Sequence, residues 1–213
     1  MFDLFVSAFV TLFVVIDPPG CAPIYASVTS GANASQRRNM AVRAVVVAGA
    51  ILLVFALFGE QLLGALHIEL DSFRIAGGIM LFVIAIDMVF EKRTQRREER
   101  AQKIIDTPEI EDVSIFPMAM PMIAGPGSIA TIMLLMSRNT GIEATLTILA
   151  ALGAVLLITL AALVAAGPLM RVLGARIEAV VTRLLGVLLA ALAAQFVIDG
   201  LKASFFVENN VPV

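Results

Sequence analysis

The sequence is poor in almost everything that soluble chemistry uses. Its 213 residues include one cysteine, one histidine, one tyrosine and no tryptophan. A single cysteine excludes an internal disulfide. With one histidine beside it there is no cluster for zinc, haem or iron–sulfur, so neither a metal nor a cofactor is expected. Charge is scarce too: Lys, Arg, Asp and Glu make up 15% of the chain, against roughly 25% in an ordinary soluble domain. The net charge of −2 says nothing of nucleic acid; the distribution of charge matters more, and no nucleic-acid partner is expected from it. The start Met1-Phe2-Asp3-Leu4 lacks the positive charge of a signal peptide, so the first segment is expected to be retained. Gly20-Cys21 invites a lipoprotein reading, but Pro18 and Pro19 precede it, and Cys21 reads first as a small apolar packing residue.

What is present in quantity is apolar. The chain is 60% hydrophobic with a mean hydropathy of +0.96, and 144–170 contains no charge at all. A hydrocarbon core of about 30 Å needs about 20 such residues, so this is an integral membrane protein. Six segments stand out, at about 4–29, 40–63, 73–90, 113–136, 144–170 and 180–201. The polar stretch 91–112, with EKRTQRREERAQK, separates 1–90 from 113–201, and 171–178 reads as a short amphipathic linker. Of the 15 Lys and Arg residues, only Arg74, Arg138 and Lys202 fall on one side of the predicted spans; the others, including Arg37, Arg38, Arg43 and the 92–103 run, fall on the opposite side. Basic loops stay cytoplasmic, which predicts a cytoplasmic 91–112 linker and both termini outside.

The two halves match. Leu63-Gly64-Ala65 aligns with Leu173-Gly174-Ala175 at an offset of 110, and Ile68-Glu69, Arg74 and Gly77 align with Ile177-Glu178, Arg183 and Gly186 at 109. At 107, Ile16 and Pro19-Gly20 fall on Ile123 and Pro126-Gly127. Repeats of three helices enter the membrane from opposite sides. The expected fold is therefore a single all-α membrane domain, 1–213, of six helices arranged as two inverted three-helix repeats.

The first and fourth segments are each interrupted by helix breakers, Asp17-Pro18-Pro19-Gly20 and Ala124-Gly125-Pro126-Gly127. Proline removes a backbone donor and clashes with the preceding turn, and glycine relaxes the restriction on φ. Freed backbone groups survive in hydrocarbon only where protein or a water-filled cavity satisfies them. Matched breaks in two halves point to a transporter's binding site. The downstream halves, beginning near Cys21 and Ser128, offer N–H groups and a positive dipole end to an anion. The upstream halves, ending near Ile16 and Ala124, offer carbonyls to a cation or ammonium. Asp17 adds a negative charge or, when protonated, a donor. Both ends together suit a small zwitterion such as a neutral α-amino acid. The competing reading is a pair of packing kinks, but an acidic residue in mid-span costs about 2.5–3.5 kcal/mol, which a plain kink does not need. The candidate substrate-binding set is Asp17, Pro18, Pro19, Gly20, Cys21, Gly125, Pro126, Gly127, Ser128, Thr131 and Gln195. Asp87 reads as an interfacial charge beside Arg93, Glu60 and His67 as solvated, and Met118, Met120 and Met122 as packing around Pro117 and Pro121.

VIDPPGCAPIY in the first segment, PMAMPMIAGPGSIAT in the fourth and RLLGVLLAALAAQFVIDG in the sixth together resemble the MarC family, also called the neutral amino acid transporter family, over essentially the whole chain. The resemblance implies a six-helix bacterial inner-membrane protein with an inverted repeat, and for some members transport of glycine, alanine and similar amino acids. The family motif often carries Asn where this chain has Asp17. The expected function is secondary transport of small neutral amino acids or similar small metabolites by alternating access, with a coupling proton or sodium ion and membrane lipid as the other partners. The alternative is a non-transporting structural or stress-related membrane protein. No enzyme activity is expected: Asp17 and Asp87 lie at different depths, and no Gly-x-Gly-Asp motif accompanies them.

Overall fold

The computed structural model describes residues 1–90 and 112–206, with side chains left aside at 168–179 and 206. The basic run at 92–103, nearly all of the 91–112 linker and the tail at 207–213 lie outside the described residues. Every regular element among the described residues is helical: α1 (Phe2–Ile16), α2 (Pro18–Val28), α3 (Ala34–Ala65), α4 (Leu70–Val89), α5 (Ser114–Ile123), α6 (Pro126–Arg138), α7 (Ile142–Val164) and α8 (Ala166–Phe206).

Among the described residues, five stretches are long and apolar enough to span a membrane: Phe2–Val28, Ala34–Ala65, Leu70–Val89, Ile142–Val164 and Val180–Phe205. The bent pair α5 and α6 makes a sixth if counted as one span. Large apolar side chains such as Phe58, Leu157 and Leu188 stand exposed on the outside, as lipid contact requires.

The termini of the elements have local causes. α3 begins six residues before the apolar segment read from hydropathy, because Asn33 and Gln36 form a reciprocal capping box, each side chain 2.9 Å from the other's backbone N–H. The polar residues Ser35 to Asn39 are thus helical rather than a loop. The linker expected at 171–178 is also helical. α7 stops at Val164, and after Ala165 a single helix of 41 residues runs to Phe206. α5 departs furthest from expectation. It winds in wide turns, with Met118 N–H donating to Val113 O and Ala124 N–H to Ala119 O, and Phe116 and Met120 are extended. Both precede proline, which disfavours the α region for the residue before it; both X–Pro bonds are cis.

Lipid tails are as apolar as leucine, so helices in a membrane associate by close packing rather than by the hydrophobic effect. α4 and α8 show this most plainly, running antiparallel along a seam of small residues. A Cβ at Gly78 would stand 2.7 Å from Val197 Cγ2 and 2.9 Å from Ala193 O. A Cβ at Gly186 would stand 3.1 Å from Val89 Cγ2 and 3.2 Å from Ala85 O. These two sets of neighbours correspond residue for residue at an offset of 108. α7 packs on α1 and α2, α3 packs on α5 and α6, and α3 also meets α7. The broken segments therefore lie in the middle of the bundle.

Candidate functional site

The first break is one residue wide. Asp17 lies at φ 58° and ψ 63°, in the left-handed region that Asp and Asn tolerate better than other side chains. Its N–H donates to Phe13 O at 2.9 Å, and its carbonyl accepts from Cys21 N–H at 3.1 Å. Its carboxylate Oδ1 accepts from Gly20 N–H at 3.1 Å. One residue thus ends α1 and caps α2. Pro18 and Pro19 occupy the first helical positions, where a missing N–H costs nothing. A Cβ at Gly20 would fall 2.2 Å from Asp17 Oδ2, so the cap needs glycine there. α1 and α2 remain one apolar span.

The second break is wider. Ala124 and Gly125 lie outside both flanking elements, and the chain bends by 52° between them. Pro126 takes the first helical position, and no side chain caps α6. A Cβ at Gly125 would lie 2.3 Å from Pro121 O; one at Gly127 would lie 2.5 Å from Ile84 Cδ1 and 3.4 Å from Val15 Cγ1. The second break therefore rests against the last turn of α1 and against α4.

One contact recurs in both breaks. Cys21 Sγ donates to Ile16 O at 3.6 Å, and Ser128 Oγ donates to Ile123 O at 2.6 Å. In each case a side chain five residues on, just inside the downstream helix, takes the carbonyl that the break has freed. One upstream carbonyl in each break is thus partnered internally, and so is one N–H of the first downstream half. α6, without a side-chain cap, keeps the more open positive end. The sequence carried the breaks themselves; the paired back-bonds were missed, although Cys21 and Ser128 already align at the offset of 107.

The remaining candidates are distributed as follows. Pro18, Gly20, Gly125, Gly127 and Ser128 are buried, Pro19 is half-buried and Pro126 is exposed. Asp17 is 1% exposed and Cys21 fully buried. Ile16, Cys21, Ile123 and Ala124 belong to one core cluster, and Gly127 of the second break lies against Val15, two residues before Asp17. Thr131, one turn beyond Gly127, is fully buried, and its hydroxyl has no partner. The bond to the carbonyl four residues back that would have made it unremarkable is not formed. Gln195 stands apart. It is exposed, and its Nε2 donates to Asp199 Oδ1 at 2.7 Å. Asp199 in turn pairs with Arg138 at the end of α6, and the Arg138 guanidinium lies 4.9 Å above the Phe196 ring. Glu60 and His67 are exposed as read, Asp87 is buried at 8% exposure, and the Arg93 read as its neighbour lies outside the described residues. Cavities of about 260, 590, 440 and 320 Å³ open elsewhere and are lined by no residue of either break.

Comparison with known proteins returns one family, described as MarC family integral membrane protein, matching residues 2–205. A UPF0056 membrane protein of Methanocaldococcus jannaschii is 36% identical over 205 residues, covering 94% of this chain and 97% of its own. The UPF0056 membrane protein YvbG of Bacillus subtilis is 32% identical over 205 residues, 96% of this chain and 97% of its own. YhcE of Escherichia coli, another UPF0056 membrane protein, is 31% identical over 204 residues, 96% and 94%. No solved structure matches.

Proposed function

Because the chain belongs to the MarC family of integral membrane proteins, we propose that it is a secondary transporter of small neutral amino acids such as glycine and alanine, or of similar small metabolites, working by alternating access around the two breaks. The observation that carries this reading is the matched pair of self-satisfied breaks, Cys21 on Ile16 O and Ser128 on Ile123 O. Each break holds a backbone carbonyl in a side-chain hydrogen bond that a ligand can replace.

The polarity of the site follows from the difference between the breaks. The uncapped start of α6 takes the substrate carboxylate on its N–H groups. Asp17 faces the ammonium, and the Thr131 hydroxyl supplies a further hydrogen bond. In the arrangement described the breaks are packed closed, so binding requires the half-helices to part. The proposal includes a six-span, inverted-repeat architecture. Its support is the reciprocal packing of Gly78 and Gly186 and the parallel pairing of α7 with α1–α2 and α3 with α5–α6. It also includes a bacterial inner-membrane location with both termini outside, supported by the distribution of Lys and Arg. No chemical conversion is part of this function.

The test is uptake of labelled glycine and alanine by proteoliposomes, with and without sodium and pH gradients. The reading predicts saturable, gradient-dependent accumulation. Uptake equal to that of empty liposomes under every gradient would leave the non-transporting alternative.

A further inference from the structure

Arg37 and Arg38 lie side by side at the start of α3, on one flank of the molecule. Three spans end together there: Phe2–Val28 at its last residue, Ala34–Ala65 at its first and Ile142–Val164 at its last. Between them opens a cavity of about 320 Å³, lined by Tyr25, Thr29, Arg37, Arg38, Leu163 and Val164 among others. Span ends lie at the level of the lipid headgroups, so the cavity opens at that depth. Its walls divide by chemistry. Val164, half exposed beside the buried Leu163, presents apolar surface, and the start of α3 presents two guanidinium groups.

The two arginines are not equivalent. Arg37 is committed to the protein: its Nε donates to Ala32 O and its Nη2 to Ser30 O, each at 3.0 Å. It holds the turn between α2 and α3, and the Tyr25 hydroxyl donates to its carbonyl. Arg38 is exposed and makes no ion pair among the described residues. No carboxylate lines the cavity among those residues. The neighbouring cavity of about 590 Å³ differs in this respect, since its arginine, Arg43, pairs with Asp112. A cavity with two cationic side chains and no anionic one selects an anion.

We propose that this cavity binds the phosphodiester of an anionic glycerophospholipid, with Arg38 as the principal contact, Arg37 as a second positive charge and Val164 against the start of the acyl chains. A zwitterionic lipid offers the same phosphate but brings an ammonium for which the lined surface has no partner. Basic pockets between membrane helices recognise anionic headgroups on these terms. The inference is independent of the transport reading, because it uses none of the residues of the breaks.

Native mass spectrometry of the full chain, exchanged into micelles with equimolar phosphatidylglycerol and phosphatidylcholine, tests it. The expected result is preferential retention of phosphatidylglycerol, eroded by salt. Arg38→Gln should reduce the ratio of retained lipids about fivefold, the weight of one basic side chain at an anionic surface. Arg43→Gln, whose guanidinium is already paired, should leave it unchanged. Arg38 holds no internal hydrogen bond, so an unaltered melting temperature in phosphatidylcholine confirms that Arg38→Gln is folded. Equal ratios for the wild type and Arg38→Gln would overturn the proposal. So would complete displacement of phosphatidylglycerol by inorganic phosphate, which would make free phosphate the ligand.

Discussion

Asp17 is held in place by the backbone before any ligand uses it. A left-handed residue that must also accept a hydrogen bond from the third residue after it can be Asp or Asn and little else. This gives a physical reason why the family motif can carry Asn where this chain carries Asp: both keep the cap. Asp17→Asn should therefore stay within about 0.5 kcal/mol of the wild type in thermal unfolding in detergent, whereas Asp17→Ala, losing the cap and entering an unfavourable φ, should lose roughly 2 kcal/mol. Transport separates charge from cap. Asp17→Asn should still bind substrate in proteoliposomes but lose its response to a pH gradient. Identical pH responses would leave Asp17 as a cap alone. The helix-breaking letters around Asp17 were legible in the sequence, because Pro and Gly act locally. The destinations of the side chains were not. Cys21 read as packing, yet it also bonds to Ile16 O. Gln195 read as near the breaks, yet its amide goes to Asp199. Such partners are set by helix rotation, which an apolar pattern exposed to lipid on one side and packed on the other defines weakly.

At the scale of elements, glycines divide into those that close seams and those that open breaks. A Cβ at Gly78 would lie 2.9 Å from both Ala193 O and Val197 N, and one at Gly186 would lie 2.9 Å from Met88 Cβ. Backbone atoms cannot step aside, so Gly78→Val should overpack the α4–α8 seam by 1–3 kcal/mol or more, read as loss of the folded peak in size-exclusion chromatography. Gly127→Val meets the far end of the Ile84 side chain, which can move. On the transport reading it should express and fold but lose transport, because the added bulk fills the region where α6 would admit a ligand. Loss of folded protein from Gly127→Val would support the packing-kink reading. Matched letters suggested a repeat, but they did not give the register of this seam. Gly77 aligned with Gly186, while the structure gives the equivalent contact to Gly78 and turns Gly77 toward Leu134 of α6. Two adjacent glycines leave hydropathy nothing to choose between. The linker reading of 171–178 missed the start of α8 at Ala166 for a related reason, since hydropathy marks where a helix enters lipid and not where it starts.

Across the whole molecule the two central segments are both broken, and in each a side chain from the downstream helix takes a freed carbonyl. Orientation comes first. In a Cys21→Ser background, an impermeant thiol reagent applied to intact cells should modify a cysteine placed at Glu208 and spare one placed at Arg100; the reverse pattern would invert the topology. Opening comes second, and the chain carries its own probe. Cys21 is its only cysteine, fully buried in the first break and bonded to the carbonyl that the break frees. Alternating access requires that bond to break and reform as the site opens. The most direct measurement is the rate at which a membrane-permeant maleimide alkylates Cys21 of the native chain in membranes, with and without glycine or alanine. The account predicts alkylation of the folded protein at a rate that substrate changes severalfold. A thiol that stays inert until the protein unfolds, whatever the substrate or gradient, would contradict it and leave the two breaks as packing kinks.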